Sequence, residues 1–317
     1  MTPAAPTKAD TVPIESLLPE RSLKIKDGIL RAQLIGIMAQ QGEILPSANS
    51  PLGRLWQLVH SDESTVEQCV DIIQLDPSLA SRVFRIANSG AYQGKAPNLK
   101  SAVIFLGFSK LRQVVFSAGI FDQFCKLKLP EKWGHFWIRN VLISRLAECL
   151  AADFFRTTGS EYLAGLLHDS GWILNASFFP EEIDRVLISP KPIHEAELEI
   201  FSFNHGDVSA MVCARSNLPA RVVHAVQQHQ APDLSPLPKT ELPRASSRLL
   251  GIILHVCDRL ATSAGMPLIE GDSCTLSDVI ASPEHQWLVA HGLKVDLQRL
   301  LQEEIPKARE VYSIFFR

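Results

Sequence analysis

Apolar residues recur at helical spacing along most of this chain. One stripe consists of Leu79, Val83 and Ile86, and a second consists of Leu111, Val114, Val115, Ala118 and Phe121. Spacings of three and four residues place such side chains on one face of a helix. The sequence has no sustained alternation with a period of two and no convincing Asn-Gly or Asp-Gly hairpin turn. The pattern predicts an all-α fold.

Short polar motifs predict where individual helices begin and end. Ser64-Thr-Val-Glu67 has the form of a capping box, and Asp76-Pro77 has the form of an N-cap followed by a first-turn proline. Asn88-Ser89-Gly90 should end the helix that Pro77 begins. Because Asn side chains bond to the backbone of turns, we expect Asn88→Ala to destabilise the fold by about 1 kcal/mol.

Changes in composition divide the chain into four parts. Residues 1–22 are rich in Pro, Ala and Thr, which predicts a mobile leader. The run CKLKLPEKW at Cys125–Trp133 interrupts the apolar pattern. We therefore expect one helical subdomain over 23–127, a second over 128–264, and a helical tail over 265–317 with short helices such as Val295–Ile305.

The two subdomains should share a hydrophobic core. The first has more large apolar side chains than so small a bundle hides by itself, namely Phe105, Phe108, Phe116, Phe121 and Phe124. We expect the second subdomain to cover part of this surface.

Composition narrows the class of protein further. The 317 residues are 46% apolar and 21% charged, as in folded proteins. A net charge of −3 and a pI near 6.4 argue against a nucleic-acid or membrane-surface partner. The six cysteines form no CxxC pair, which indicates reduced thiols. The start lacks the features of a signal peptide, and apolar runs such as Leu249–Val256 are too short to cross a bilayer, so we expect a cytoplasmic protein.

Five polar residues of the second subdomain are candidates for a metal centre: His168, Asp169, His205, His229 and Asp258. Histidine and carboxylate ligands suit iron, manganese or zinc, and a bound metal would acidify water for attack on a phosphoester. Two of the five have simpler interpretations. His205 fits a position at the start of a helix, and Asp258 fits an ion pair with Arg259 or another basic side chain.

The order of these residues resembles that of the HD superfamily of metal-dependent phosphohydrolases. A more specific resemblance is to the HDOD family, the HD-related output domain of bacterial signalling proteins. QLDPSLASRVFRIANSGAYQG and LKSAVIFLGFSKLRQVV are similar to its amino-terminal half, and FWIRNVLISRLAECLA, EYLAGLLHDSGWIL, HEAELEIFSFNHGDVSAMV and LPARVVHAVQQHQAP follow in the order of its second half. The resemblance covers Ile44–Ala264 and implies a two-part helical fold, with the amino-terminal subdomain packed on an HD-like subdomain.

Three departures from the HD pattern argue against hydrolysis. Asn140 stands where the pattern has its first metal-binding histidine, and a neutral amide oxygen is a poor ligand for first-row metals. His135 lies five residues earlier and would point to another side of the helix. Trp172 replaces a lysine that can offer positive charge to phosphate. Only His229 remains where related proteins have consecutive histidines. We therefore expect no enzyme activity.

Three functions stay open at this point. The first is a non-catalytic signalling scaffold that acts through contacts with signalling proteins supplied in trans. In that case His168, Asp169 and Asp258 would pair with one another, with Asn140 or with a basic group, and no cofactor is expected. A weak iron, manganese or zinc site on the same three residues is the alternative.

The second function is a module that binds a nucleotide or another phosphorylated ligand in the degenerate cleft. Its candidate phosphate contacts are Arg139, Arg145 and Arg259. The third function is a metal-dependent phosphohydrolase with residual activity.

Overall fold

The structure, a computed structural model, contains fifteen helices and no strand within residues 50–59, 64–92, 94–124, 135–216, 218–236, 247–269 and 271–316, which are the residues that it describes. The predicted all-α fold is confirmed. The predicted leader over 1–22 and the predicted boundary at 125–133 lie outside the described residues.

The helices fall into three successive groups along the chain. The amino-terminal group is α1 (Pro51–Val59), α2 (Val66–Ile73), α3 (Pro77–Ala87) and α4 (Leu99–Phe124). The middle group is α5 (Phe136–Ala151), α6 (Ser160–Leu167), α7 (Ser170–Phe178), α8 (Pro180–Leu187), α9 (Ile193–Phe201), α10 (His205–Arg215), α11 (Ala220–Gln228) and α12 (Ser247–Ser263). The last group is α13 (Leu276–Ala281), α14 (Pro283–His291) and α15 (Leu297–Phe316).

Helix α3 has the limits that its sequence predicts. The Asp76 carboxylate accepts hydrogen bonds from the backbone N–H groups of Ser78 and Leu79 at 3.0 and 3.1 Å, and Pro77 occupies the first turn. The helix ends at Ala87, directly before Asn88.

The capping box of α2 lies one residue later than predicted. Thr65 caps the helix, and its reciprocal partner is Gln68 instead of Glu67. The hydroxyl of Ser64 donates to the carbonyl oxygen of Leu58. Ser64-x-x-Glu67 and Thr65-x-x-Gln68 both satisfy the capping-box rule, so the pattern alone does not decide between them.

Helix α4 contains the 24-residue stretch Leu99–Asp122, which by length and composition is the one candidate membrane span in the described part of the chain. Gly107 breaks the helix into two segments with a positive φ of 67°, which glycine adopts readily. The window is 61% buried within the protein. Neither segment by itself has the roughly 20 residues that a spanning helix needs, so α4 is an element of the core.

A single hydrophobic core extends from the first described helix to the last. Phe116 and Phe121 are buried, and the Phe121 ring lies 5.1 Å from the Trp137 ring of α5 and 4.8 Å from the Phe315 ring of α15. Phe108 is partly buried, whereas Phe105 stays 49% exposed. The side chain of Phe124 lies outside the described residues. The expectation that part of this surface is covered is therefore met at Phe121, whereas Phe105 belongs to the part that stays exposed.

The last helix connects the two halves. It is longer than the predicted Val295–Ile305 segment, since it continues through Pro306 to Phe316. It packs on both α5 and α3. Glu304 pairs with Arg145 of α5 at 2.5 Å, and the Glu310 carboxylate accepts from the N–H groups of Gly90 and Ala91 at 2.9 Å each. The carboxy-terminal segment is therefore part of the helical body.

Candidate functional site

The histidine and aspartate residues that the sequence singled out meet at the centre of the middle helices. They are His168 and Asp169 between α6 and α7, His205 at the start of α10, His229 after α11 and Asp258 in α12. All are fully buried except Asp258, whose side chain is 19% exposed. Five helices thus build one polar cluster inside an apolar core.

Gly171 sets the spacing between two of these helices. A Cβ atom at this position would lie 2.2 Å from the carbonyl oxygen of His205, so only glycine lets α7 approach α10 this closely. The N–H group of Gly171 donates to the Ser209 hydroxyl at 2.8 Å. The glycine that follows the His-Asp pair therefore brings Asp169 next to His205.

The guanidinium group of Arg139 lies between the two aspartates. Its Nη1 donates to Asp169 Oδ2 at 2.6 Å, its Nη2 donates to Asp258 Oδ1, and its Nε donates to the carbonyl oxygen of Met266 at 3.1 Å. The side chain is 1% exposed. Burial opposes the charge, but Asp258 and Asp169 outweigh burial and raise the pKa of Arg139. A permanent cation therefore pairs with both carboxylates at once.

His168 carries the second positive charge. Its Nδ1 lies 2.8 Å from the carbonyl oxygen of Gly165, and its Nε2 lies 3.1 Å from Asp169 Oδ2 and 3.4 Å from Asp258 Oδ1. Both ring nitrogens face acceptors, so both carry a proton. Burial alone would lower the pKa of His168, but the Asp169 carboxylate and its hydrogen bond raise this pKa to about 9.

The carboxylates respond in the opposite sense. Burial alone would raise the pKa of Asp169, but the charges of His168 and Arg139 hold it well below its usual range. Arg139 also outweighs burial at Asp258 and lowers the pKa of that carboxyl. Two negative charges therefore face two positive charges, Arg139 and His168, and the four cancel.

The pKa values of the other two histidines shift in opposite directions. His229 donates from Nδ1 to the Val226 carbonyl oxygen at 2.6 Å and accepts at Nε2 from Gln230 at 2.6 Å, as a neutral imidazole does. Burial lowers its pKa to about 4. His205 bonds through Nδ1 to Glu197 Oε2 at 2.6 Å, and this carboxylate outweighs burial and raises the pKa of His205.

Asn140 and Trp172 occupy buried positions at the edge of the cluster. Asn140 Nδ2 donates to the carbonyl oxygen of Leu166 at 3.4 Å. The Trp172 ring packs edge-to-face on His205, with 5.8 Å between the ring centroids. Neither side chain is charged. The positive charge beside Asp169 and Asp258 therefore comes from Arg139 and His168.

The other two candidate phosphate contacts lie elsewhere. Arg145 lies at the junction with α15, where it pairs with Glu304 and packs 5.7 Å from the centre of the Tyr92 ring. Arg259 lines a cleft of about 560 Å³ beside Asp258 and lies 3.6 Å from Asp272. Of the three candidate arginines, Arg259 is the one that lines this cleft.

Sequence reasoning missed Glu197, the partner of His205. Its carboxylate is fully buried and also accepts from the backbone N–H of His205 at 3.1 Å. One signal for it does exist in the sequence: Glu197 is four residues from both Ile193 and Phe201, on the apolar face of α9. A carboxylate at such a position needs a buried partner.

The residues fit a divalent metal poorly as they stand. Ligand atoms of His168, Asp169 and His229 lie within 4.8 Å of one another, which is close enough for a shared ion. Metal ligands must be deprotonated, however, whereas both ring nitrogens of His168 face acceptors as proton donors and the Asp169 carboxylate is paired with Arg139. A metal there would add two positive charges to a buried cluster whose charges already cancel.

The chain matches the HDOD domain over residues 45–232, which is more than half of its length. It belongs to the HDOD family. Asp258, which holds Arg139 from the other side, lies beyond the matched residues.

Relatives of known structure share this fold. An HDOD domain protein with unknown function from Geobacter sulfurreducens superposes with a TM-score of 0.67 at 21% identity, covering 91% of this chain and 98% of that one. A proposed phosphohydrolase from Shewanella amazonensis SB2B gives a TM-score of 0.63 at 18% identity, covering 90% and 99%. Identities this low establish the fold alone.

The chain is also similar to a curated protein. An uncharacterized protein of Treponema pallidum (strain Nichols) is 20% identical over 205 residues. The alignment covers 62% of this chain and 40% of the relative, so this chain spans less than half the length of that protein.

Proposed function

We propose that this HDOD protein is a non-catalytic scaffold of bacterial signalling that works in the cytoplasm through contacts with partner proteins. The observation that carries the proposal is the pairing of Arg139 with Asp169 and Asp258. The carboxylates that would otherwise bind a catalytic metal are engaged by a side chain of the protein itself. Hydrolysis of a phosphoester by metal-bound water therefore lacks its metal.

Exposed apolar side chains support a role in protein contacts. Seven large hydrophobic residues of the described chain are exposed, and four of them lie between positions 75 and 105: Leu75, Phe84, Ile104 and Phe105. Exposed apolar groups concentrated in one region are typical of protein interaction surfaces. We propose that the amino-terminal helices carry the docking surface.

Activity assays test the absence of catalysis. Purified protein should not turn over cyclic dinucleotides or guanosine polyphosphates, with or without added Mn²⁺. Turnover that is lost on chelation and in Asp169→Ala would refute the proposal, because both changes remove the metal centre that hydrolysis needs.

Photocrosslinking in the native host tests the docking surface. A photoreactive amino acid at Leu75 or Ile104 should capture one discrete partner, whereas the same group at Ile280 or Val289 should not. These control positions are matched, since all four side chains are apolar and exposed. Equal capture at all four positions would contradict the assignment.

A second function is favoured by the cleft beside Asp258. Its volume of about 560 Å³ is in the range of small-molecule sites, and its walls combine apolar residues with the basic side chains of Lys191, Arg259 and His255. A phosphorylated ligand with an apolar or aromatic part suits this lining. Calorimetric titration with cyclic dinucleotides tests it, and Arg259→Ala should weaken the binding at least about tenfold if the phosphate lies there. The absence of heat at millimolar ligand would exclude these ligands.

A further inference from the structure

We propose that Arg139 is an intramolecular substitute for a divalent metal, and that removing its side chain uncovers a metal site formed by His168, Asp169, His229 and Asp258. The inference rests on the proposed function, because a cluster that still used a metal would have no need of the substitute. It assigns to one residue the role that a bound ion has in a working His-Asp centre.

The position of Arg139 carries the first step. Its guanidinium contacts Asp169 and Asp258 simultaneously, although these carboxylates lie 30 and 119 residues away in sequence. Its side chain is 1% exposed, so the guanidinium is shielded from bulk solvent. A cation that bridges two carboxylates from different helices is placed as a bridging metal would be.

The charge balance carries the second step. Arg139 pairs with both Asp169 and Asp258, so its positive charge is the one that a bound cation would have to supply in its place. Without Arg139, a buried carboxylate would be left without its partner, which strongly destabilises a protein. A divalent metal bound by the two carboxylates would restore this positive charge, with a ring nitrogen of His168 as a further ligand.

The spacing of the remaining groups carries the third step. His168 Nε2 lies 3.1 Å from Asp169 Oδ2 and 3.4 Å from Asp258 Oδ1. Ligands bound at about 2.1 Å from one metal lie about 3.0 Å apart in octahedral and about 3.4 Å apart in tetrahedral geometry. His229 Nε2 lies 3.5 Å from Asp169 Oδ1 and can add a neutral nitrogen. The donor set suits manganese, iron or zinc.

Thermal unfolding with and without metal tests the proposal on the full chain. Arg139→Ala should lower the Tm by about 10 °C in the presence of a chelator, and added Mn²⁺ or Zn²⁺ should recover most of this loss. The variant should retain about one metal per chain after gel filtration, measured by elemental analysis. The wild-type Tm should not respond to metal, and the wild-type protein should retain almost none.

Arg145→Ala is the matched control. Arg145 lies in the same helix and is also a largely buried arginine paired with a buried carboxylate, Glu304. Among the residues that the structure describes, no histidine is paired with that carboxylate. Its loss should lower the Tm without recovery by metal. Recovery in both variants would show a general effect of metal and would overturn the proposal.

Arg139→Gln provides a second variant with little change of volume. The proposal is wrong if neither Arg139 variant gains metal, or if both stay unfolded when metal is present. It is also wrong if the wild-type protein holds a stoichiometric metal that resists chelation. If the wild-type protein shows no turnover and the Arg139→Ala variant binds no metal, this inference is wrong but the proposed function stands.

Discussion

One amide side chain ties the end of α3 to the loop that leads into α4. Asn88 Nδ2 donates to the carbonyl oxygens of Phe84 at 3.0 Å and Ala96 at 3.2 Å, and Asn88 Oδ1 accepts from the N–H of Ala96 at 2.7 Å. Ala96 is 9% exposed, so water cannot readily replace the lost partner of its backbone groups. Asn88→Ala removes all three bonds.

The magnitude follows from the environment of each bond. The bond to Phe84 is exposed to solvent and contributes little, whereas each bond to Ala96 is worth about 1 kcal/mol or slightly more because it leaves a nearly buried group unpaired. The expected loss is therefore about 2 to 3 kcal/mol, larger than the value of about 1 kcal/mol expected from a single turn bond.

Urea unfolding followed by circular dichroism measures this loss. Asn88→Ala should lower the midpoint with an unchanged m value, since the surface exposed on unfolding stays the same. Asn98→Ala is the control, because Asn98 Oδ1 accepts one exposed bond, from the N–H of Ser101 at 2.9 Å, and its loss should cost about 1 kcal/mol. Equal costs for the two variants would refute the reasoning. Unchanged stability together with lost partner binding would make Asn88 a recognition residue.

Three further predictions follow from the charges and from the shared core. The free energy of unfolding should fall by about 3 kcal/mol as the pH rises from 6.5 through 9, because only the folded state keeps His168 protonated in that range. His168→Gln should flatten this part of a plot of urea midpoint against pH, and an unchanged plot would contradict the raised pKa of His168. Glu310→Ala should lower the free energy of unfolding in urea by about 2 kcal/mol, because it removes the acceptor of two backbone N–H groups, whereas the exposed-pair control Glu303→Ala should lower it far less. Equal losses would refute the role of Glu310 at Gly90 and Ala91. Calorimetry of the full chain should show one unfolding transition. Fragments 44–127 and 130–264 should not reproduce it because both lack α15, and two fragments that fold with the native transitions would disprove a shared core.

Elements that depend on neighbouring residues could be predicted from the sequence. Asp76 and Pro77 start α3, and Asn88 ends it, because caps act within one helical turn. The same rule failed by one position at Thr65, where two overlapping motifs compete. The length of α15 also exceeded the prediction, since packing on α3 and α5 favours helix beyond Pro306.

The sequence by itself determined which residues the site contains, namely the adjacent His168 and Asp169 and Asn140 in place of a histidine, and that the fold is all-helical. It also determined the family, through motifs that are local in the chain. Only the tertiary structure decided which charges meet. In the sequence Arg139 is one of three arginines near the motifs, and nothing local connects it to Asp258, 119 residues away. Pairing of buried charges depends on which distant helices pack together, and a carboxylate takes whichever cation that packing places against it.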